Sequence, residues 1–553
     1  MNNPIEVILF DMGGTLRNSI PKGSAAKIKV VGEMLELLST ELSAQALSDL
    51  ISERFKQYSL WARKTLEELS ERELWTRWIL PDWPEEQIAA IAVRLNELWR
   101  RATAERMFFP ETRDAVVELF RRGYRLGIVS NTVSSVEIPH TLYELKISGY
   151  FETVILSCVF GKRKPDPDIL LEAVRRLRVS PGSCVYVGNL LHRDVQSAQE
   201  AGFARTIIRR APETFSAHQA EHAEIIADTN IDDLRELLDI FPPLSNQAVA
   251  RPVYKASLST MWAINNYLNL SDFFEGARRL GFSEIELNHQ VDTSMLSDLD
   301  LSKYSISSVH EPCPADISIE ELKSRDWLIS SPDENHRNRG VQAIKRSIDL
   351  AQQFHIPVVV VHCGMVSTDV STEKELRTLF ADGKSGSDEH QALKQKMIAF
   401  RKGLITPCFA AVKQSLHELL DYAAPYPVRL GLENRYHYYD IPGLDEMGEL
   451  LALAGPEQLG FVYDAGHAQA LDRLGFFASE AWLHRYVHRL IEIHLHDVVG
   501  VNDHYAPGRG EIDFAKIAKY SPKAAIRTLE LQTMNPPEQV VAGLEHLAQT
   551  GCI

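Results

Sequence analysis

Length, composition and charge set the first limits on what this chain can be. A chain of 553 residues predicts two or three domains rather than a single core. Its composition, 45% hydrophobic and 24% charged, is typical of folded globular protein. The formal net charge of −16 opposes binding to a polyanion and disfavours a nucleic-acid partner. We therefore expect a small-molecule partner, and a homo-oligomer remains open.

The cysteines and the apolar segments bear on location. Six cysteines are scattered without CxxC spacing, which argues against a disulfide framework or a zinc ribbon. No segment approaches the roughly 20 apolar residues of a membrane span, and the N-terminus lacks a basic leader. These features predict a cytoplasmic protein with no membrane partner.

One stretch of the chain reads as a domain boundary. At 240–252 a Pro-Pro pair and small polar residues follow a helix-like segment. We expect a first domain over 1–240, a linker over 241–252 and a second domain over 253–553.

The first domain opens with a nucleophile-like aspartate. An apolar strand over 5–10 ends at Asp11, and the glycines that follow let the backbone turn and present this carboxylate. The next segment, over about 17–105, is rich in Trp and Leu and predicts an inserted helical cap.

Three later segments supply groups for a phosphate or its metal. They are the end of a strand-like run over 125–132, a KRKPDPD segment and a VGNLLHRD segment. The candidate side chains are Ser130, Asn131, Thr132, Lys164 and Asp194.

In that order the four segments resemble the haloacid dehalogenase superfamily of phosphatases over about 4–240. The resemblance implies a Rossmann-like α/β domain with a helical cap. It also implies a phospho-aspartyl intermediate on Asp11, with Mg²⁺ bound by Asp11 and Asp194. Thr132 and Lys164 would then bind the phosphate and take part in catalysis.

Two positions depart from that pattern. Gly13 stands where these phosphatases usually carry an aspartate that protonates the leaving alcohol, a loss that costs about 10²–10⁴ in rate. Asn189 stands where an aspartate usually helps to hold magnesium, and its amide is a weaker ligand for a hard cation. An active phosphatase, a binding module and another reaction of Asp11, such as attack on carbon, all stay open.

The second domain shows eight strand-like runs that alternate with amphipathic segments. They are KASLST, FSEIELN, SISSVH, PVVVVHCG, RLGLENR, LGFVYDAG, IEIHLHD and IRTLELQ. Eight βα units predict a (β/α)8 TIM barrel with its site at the C-terminal ends of the strands.

Charged groups stand at those ends. Glu433, Asp464, His494 and Glu530 come from the fifth to eighth runs and should share one arc of the barrel mouth. Three carboxylates and one imidazole make a mostly oxygen donor set, suited to Mn²⁺, Mg²⁺, Co²⁺ or Zn²⁺. The sequence therefore predicts a divalent metal site.

These segments, with DHYAPGRGEIDF at 503–514, resemble the xylose isomerase-like TIM barrels. In the isomerase and epimerase members the matching residues hold one metal, and the residues matching Glu433 and Glu530 exchange a proton on the sugar. In endonuclease IV-like members further ligands hold a trinuclear zinc site. The candidates here are His310, His362, His467 and His504, with Asn502 at a usual aspartate position and Asp503 beside it.

The histidines leave two readings open, because they can hold metal or can bind a sugar at a mononuclear site. Glu286 and Arg509 are candidate substrate contacts. His496, two residues after His494, is expected on the opposite strand face.

Two whole-chain hypotheses follow. The first is a bifunctional enzyme of carbohydrate metabolism, in which a sugar or sugar-phosphate isomerase or epimerase barrel is fused to a phosphatase-like domain. The alternative is a multinuclear zinc phosphoesterase barrel, fused to a phosphatase or to a binding module.

Overall fold

The computed structural model describes residues 4–210, 224–244, 252–297 and 299–553. Its internal contacts divide the chain into two compact units, Met1–Ala248 and Val249–Ile553. The predicted linker over 241–252 spans that division, and most of it lies outside the described residues.

The first unit is built on a six-stranded parallel sheet. The strands of this unit are β1 (Val7–Phe10), β2 (Arg17–Pro21), β3 (Ala104–Phe108), β4 (Arg125–Ser130), β5 (Phe151–Leu156), β6 (Cys184–Gly188), β7 (Arg205–Arg209) and β8 (Thr229–Ile231). The sheet order is β5-β4-β1-β6-β7-β8, so β1 lies centrally between β4 and β6. Every residue of β1 is buried, as expected for a central parallel strand.

A helical cap is inserted between β2 and β3, which pair with each other antiparallel. Its helices are α1 (Ser24–Leu38), α2 (Ala44–Thr65), α3 (Glu71–Glu73, continued by a π-helix over Leu74–Ile79) and α4 (Glu85–Thr103). They pack around a core of their own that includes Val31, Trp75 and Trp99. The prediction of a Rossmann-like domain with an inserted cap is confirmed.

The remaining helices of this unit flank the sheet. They are Thr112–Arg121, Glu137–Glu144, Ser157–Phe160, Asp168–Leu177, a π-helix over Leu191–Val195, Gln196–Glu200 and Leu237–Ile240. Short 3₁₀ turns cover Ser148–Tyr150, Pro181–Ser183 and Leu234–Glu236.

The second unit is a closed parallel barrel with a hairpin between its last two strands. The strands are β9 (Tyr254–Ser259), β10 (Phe282–Leu287), β11 (Ile306–His310), β12 (Val358–Val361), β13 (Arg429–Glu433), β14 (Leu459–Asp464), β15 (Leu490–His494), β16 (Asp497–Val499), β17 (Asn502–Tyr505) and β18 (Ile526–Leu529). Strands β16 and β17 form the hairpin, and the other eight close the barrel in the order β10-β11-β12-β13-β14-β15-β18-β9. All eight strand-like runs of the sequence thus enter the barrel, and the fold prediction is confirmed.

Helices surround the barrel strands. They are Leu270–Leu280, Thr293–Leu296, Ile319–Ser324, Glu334–Gln353, Ser371–Ala381, Asp388–Ala423, Leu444–Leu451, Ala465–Arg473, Ser479–Tyr486, Phe514–Tyr520 and Pro537–Thr550. None of the helices in the described segments is long and apolar enough to cross a membrane. The six cysteines are free and buried.

Candidate functional sites

The ends of four neighbouring barrel strands converge on one imidazole. Glu433, Asp464 and His494 are the last residues of β13, β14 and β15, and Glu530 follows β18 directly. The Nδ1 atom of His494 lies 2.9 Å from Glu433 Oε1, 3.0 Å from Glu530 Oε2 and 3.7 Å from Asp464 Oδ2. The structure brings all four predicted core residues together.

The state of these atoms fits a divalent metal. His494 Nδ1 and Glu433 Oε1 are buried, and neither has a hydrogen-bond partner within the described part of the chain. Burial opposes ionisation of Glu433, but Arg435 and the nearby histidines hold its pKa well below the usual value. Burial likewise opposes protonation of His494, but Glu286 and Glu530 raise its pKa well above the usual value. Metal binding to this ionised donor set would displace the His494 proton.

Two further predicted histidines lie on one side of Glu433. His310 Nε2 is 3.8 Å from Glu433 Oε1, and His362 Nε2 is 3.3 Å from Glu433 Oε2. Burial and the charge of Arg435 lower the pKa of His362 well below its usual value, so this ring is a neutral donor. Against its burial, the contact with Glu433 raises the pKa of His310 to about 9. His310 brings a donor atom to within 4.8 Å of those of Glu433, His494 and Glu530 and so joins the central ligand group, whereas His362 lies beside it.

A second group of ligand atoms lies on the side of Asp464. Its members each bring one donor atom to within 4.8 Å of the others, and they are Asp464, His467, His496 and His504. The expectation that His496 lies on the opposite face is wrong, because residues two apart on a strand share a face, and His496 Nε2 lies 2.9 Å from Asp464 Oδ2. Gly466 permits this approach, since a Cβ there would lie 2.1 Å from the His496 ring.

Asp503 joins this second group. Its carboxylate lies 3.0 Å from His504 Nδ1 through Oδ1 and 3.6 Å from His467 Nε2 through Oδ2. His504 adopts a left-handed backbone conformation with φ of 60°, which lets two consecutive side chains face the same site. Asn502, at the position that the endonuclease IV pattern gives to aspartate, is exposed.

The expected role of Glu286 as a substrate contact stays a prediction. The Glu286 side chain is fully buried beneath His494, with Oε2 3.3 Å from His494 Nε2. Ser308 Oγ donates to Glu492 at 2.8 Å and lies 3.2 Å from Glu286 Oε2, and Thr528 donates to Glu492 at 2.6 Å. A carboxylate behind a ligand imidazole fixes the ring and its basicity, so Glu286 is placed as a positioning residue.

The loop that carries Arg509 is held by one buried aspartate. Asp497 accepts hydrogen bonds from the backbone N–H groups of Gly508, Gly510 and Ile512. The Arg509 side chain is exposed on this loop, and its role as a substrate contact stays a prediction.

Glu311 was missed by the sequence reasoning. It directly follows His310, accepts a hydrogen bond from the His362 backbone N–H at 3.0 Å, and lines a cavity of about 40 Å³ together with His362 and Arg435. Burial raises its pKa to about 7. A carboxyl group that titrates near neutrality at the barrel mouth can serve as a proton carrier.

The first unit brings Asp11, Lys164 and Asp194 together at the end of its central strand. Lys164 Nζ lies 2.9 Å from Asp11 Oδ1 and 2.8 Å from Asp194 Oδ1, and all three side chains are buried. Asp194 Oδ2 also accepts from the backbone N–H groups of Asn189 and Leu190 at 3.0 and 2.9 Å.

The three polar residues after β4 differ in what they do. Asn131 was expected to bind substrate, but its Nδ2 donates to Lys164 O and its Oδ1 accepts from Lys164 N, each at 2.9 Å. Its amide therefore fixes the Lys164 segment instead. Thr132 accepts from the backbone N–H of Ser134 at 3.1 Å, and Ser130 is buried. Their contacts with a phosphate stay predictions.

Arg193 is the second residue that the sequence reasoning missed. Its Nη2 atom lies 2.7 Å from Asp11 Oδ2, 3.1 Å from Asp194 Oδ2 and 3.0 Å from Asn189 Oδ1. With Lys164, it gives two cations for two carboxylates, so the charges of this site are already balanced.

This balance decides how Mg²⁺ fits the first unit. The oxygens that a cation would bind are held by Arg193, and Gly13 and Asn189 remove two of the negative charges that the resemblance predicts. Among the described residues, the groups of three or more His, Cys, Asp or Glu side chains able to share an ion are all in the barrel. The arrangement does not fit a divalent ion while Arg193 occupies it. Magnesium in this unit stays a prediction.

Comparison with known proteins agrees with both folds. The chain belongs to the xylose isomerase-like TIM barrel family, which matches residues 274–550, and residues 5–202 match the haloacid dehalogenase-like hydrolase family. The first unit is thus a hydrolase-family domain, fused to a barrel.

Individual relatives resemble one unit or the other. A glyceraldehyde 3-phosphate phosphatase of Methanopyrus kandleri is 31% identical over 242 residues, which is 44% of this chain and 99% of the relative. A phosphoglycolate phosphatase of Escherichia coli is 30% identical over 209 residues, which is 36% of this chain and 79% of the relative. A solved D-tagatose 3-epimerase-like protein covers 54% of this chain and 97% of its own, with 18% identity and a TM-score of 0.37.

Proposed function

We propose that the barrel is a metal-dependent isomerase or epimerase of a sugar or sugar phosphate, and that the first unit is a phosphatase-type hydrolase of a related metabolite. The observation that carries the barrel proposal is the convergence of Glu433, Asp464 and Glu530 on His494. The three buried carboxylates exceed the one arginine, Arg435, that pairs with Glu433, so this donor set favours a bound cation.

The barrel residues have separate roles in such a reaction. A divalent metal, when bound by Glu433, Asp464, His494 and Glu530, would polarise the substrate carbonyl. Glu433 and Glu530 would move the proton on the sugar carbon. Glu311, with its pKa of about 7, would exchange that proton with solvent.

In the first unit Asp11 would attack the phosphorus of a phosphate monoester and displace the alcohol, and water would then hydrolyse the aspartyl phosphate to free Asp11 and release phosphate. Lys164, 2.9 Å from Asp11, would neutralise the phosphoryl oxygens. Gly13 supplies no acid, so water would protonate the leaving alcohol and the reaction would be slow. The similarity to glyceraldehyde 3-phosphate and phosphoglycolate phosphatases supports a small phosphorylated substrate, and we expect the reaction in the cytoplasm.

A second candidate for the barrel is phosphate-ester hydrolysis by a metal cluster. The observation that favours it is the pair of ligand groups on either side of the central four residues. These are His310 with His362, next to Glu433, and His467 with Asp503 and His504. In such a cluster one ion supplies hydroxide while the others hold the phosphoryl oxygens.

Metal content and proton exchange test the barrel proposal. We expect about one divalent equivalent per chain by elemental analysis, and metal-dependent exchange of a carbon-bound proton of a sugar or sugar phosphate in D₂O, followed by NMR. Glu433→Gln and Glu530→Gln should abolish exchange, and Glu511→Gln, at a largely exposed position, should not. Two or three zinc ions with phosphodiester hydrolysis and no exchange would replace this proposal by the second candidate.

Release of p-nitrophenol from its phosphate tests the first unit. We expect slow turnover that Asp11→Asn abolishes. Turnover that survives Asp11→Asn would contradict the proposed nucleophile, and no turnover on any phosphate monoester would leave a binding module.

A further inference from the structure

A cavity of about 360 Å³ in the first unit has five arginines among its twelve lining residues. Its walls come from α4, β2, β3 and the segment after β4. The five arginines that line it are Arg17, Arg94, Arg100, Arg101 and Arg106, and the two glutamates are Glu97 and Glu137.

The positive charges exceed the negative ones at the buried end of this cavity. Three arginines pair with the single carboxylate of Glu137, and they are Arg17, Arg100 and Arg106. Glu137 Oε1 lies 2.5 Å from Arg17 Nη2 and 3.1 Å from Arg106 Nε. The side chains of the three arginines are only 5%, 19% and 16% exposed. Among the described residues Glu137 is the carboxylate that pairs directly with all three guanidinium groups, and Asp11 adds only a smaller attraction to Arg17. Positive charge is therefore in surplus in a site shielded from water, which is costly.

The two outer arginines are different. Arg94 pairs with Glu97 at 3.3 Å, and Arg101 pairs with Glu33. Both are about half exposed, so their charges are compensated and solvated. The unbalanced charge therefore belongs to the inner three.

The guanidinium group of Arg17 has donor atoms that lack a hydrogen-bond acceptor among the described residues. Its Nε and Nη1 atoms are buried and have no hydrogen-bond partner within the part of the chain that the structure describes. Burial lowers the pKa of Arg17, and burial together with the charge of Arg100 lowers the pKa of Arg106 to about 10. These groups would all be stabilised by an anion in the cavity.

The cavity adjoins the segments that carry the candidate catalytic residues. The carbonyl of Arg17 accepts from Gly14 N at 2.7 Å, three residues after Asp11. Ser134, which lines the cavity, donates its backbone N–H to Thr132 at 3.1 Å.

We propose that this cavity is a binding site for an oxyanion, a carboxylate or phosphate group of a small metabolite, held by Arg17, Arg100 and Arg106. The inference rests on the proposed function only in one respect, the source of the anion. It is either the second anionic group of a phosphate monoester bound at Asp11 or a separate anion.

Calorimetric titration of 2-phosphoglycolate into the full-length Asp11→Asn protein tests the site, because this variant binds but cannot form the covalent intermediate. Adding Arg106→Gln should weaken binding by at least about tenfold, since a charge-assisted contact is lost. Adding Glu137→Gln should tighten binding, since it removes the competing carboxylate. Arg77→Gln, on the exposed cap surface, is the matched control and should change nothing.

Equal affinity of the Arg106→Gln and Arg77→Gln proteins, weaker binding by Glu137→Gln, or no binding by any variant would overturn the site. Thermal unfolding checks that each variant is folded, and Arg100→Gln replaces Arg106→Gln if the latter is not. If wild-type protein hydrolyses no phosphate monoester while the affinity pattern holds, the proposed phosphatase fails and the anion site stands.

Inorganic phosphate distinguishes the two sources. If the anion is the second group of the substrate, Arg106→Gln should weaken the binding of 2-phosphoglycolate but leave the affinity for inorganic phosphate unchanged. Lys164→Ala should then abolish the binding of inorganic phosphate. If it is a separate anion, the protein binds one phosphate equivalent that Arg106→Gln removes and Lys164→Ala leaves. Any binding by the barrel is common to all variants and cancels.

Discussion

The two candidate catalytic sites solve the same electrostatic problem in opposite ways. In the first unit the carboxylates of Asp11 and Asp194 are paired with Lys164 and Arg193. In the barrel, three carboxylates gather around His494, and donor atoms there are buried without a partner among the described residues. The first site pairs two carboxylates with two cationic side chains, whereas the second sets three carboxylates against one arginine, Arg435, and imidazoles that can give up their protons to a metal.

The largest expected effect is on metal binding by the barrel. His494→Ala removes the imidazole on which three carboxylates converge, and we expect Mn²⁺ affinity to fall at least about 100-fold. Elemental analysis after dialysis measures it. His488→Ala, at an exposed position, is the control, and retention of metal by the His494→Ala protein would contradict the assignment of this centre.

The next prediction concerns the internal cation of the first unit. Arg193→Ala should expose the oxygens of Asp11 and Asp194 and add about one Mn²⁺ equivalent per chain to the barrel's content. Combining it with Asp194→Asn should remove the added equivalent, and Arg175→Ala, 73% exposed, should add none. If Asp194→Asn alone lowers the Mn²⁺ stoichiometry of the wild type, a metal already binds there and Arg193 does not replace it.

A smaller effect is expected from the carboxylate behind His494. Glu286→Gln keeps the shape of the side chain but removes the charge that orients the imidazole, and we expect metal affinity to fall about 10- to 100-fold. Isothermal titration with Mn²⁺ measures it against Glu284→Gln, at the partly exposed start of the same strand. Unchanged affinity would show that Glu286 does not act through the metal.

The smallest effect is a pH dependence of the first unit. Burial opposes ionisation of Glu137, but Arg100, Arg17 and Arg106 lower its pKa from 4.5 to about 2. The folded state therefore favours the carboxylate, and this stabilisation is present above about pH 4.5 and lost as the pH falls toward 2. Because the Glu137 side chain keeps some exposure to solvent, which screens its ion pairs, we expect it to contribute about 1–2 kcal/mol to the free energy of unfolding.

Hydrogen exchange of peptides from residues 100–144, corrected for intrinsic rates, measures this at pH 6 and pH 3.5. The wild type should lose more protection on acidification than Glu137→Gln does. Glu144→Gln, on the same helix and largely exposed, should behave as the wild type. An equal loss in the Glu137→Gln and Glu144→Gln proteins would contradict the lowered pKa.

The sequence was sufficient for the strands and for the residues at their tips. Periodicity places a charged or imidazole group at the end of each of four successive parallel strands, and these are Glu433, Asp464, His494 and Glu530. In a closed barrel the C-terminal ends of neighbouring strands lie side by side at one mouth. The same rule places Asp11 at the end of a central strand.

It was not sufficient where the backbone leaves regular geometry. Asp503 faces the site because His504 is left-handed, which no local pattern of residues announces. Periodicity gives the face on which Glu286 lies but not its depth along the barrel axis, where it is fully buried against His494.

The π-helix over Leu191–Val195 has a consequence for how the first site could change. A π-turn holds one residue more than an α-turn, and here it carries Arg193 and Asp194, neighbours in the chain that both reach the same carboxylate site. Deleting one residue from this turn would return it to α geometry and turn one of the two charges outward. Whether Arg193 supplies the cation beside Asp11 therefore depends on the number of residues in this turn as well as on their type.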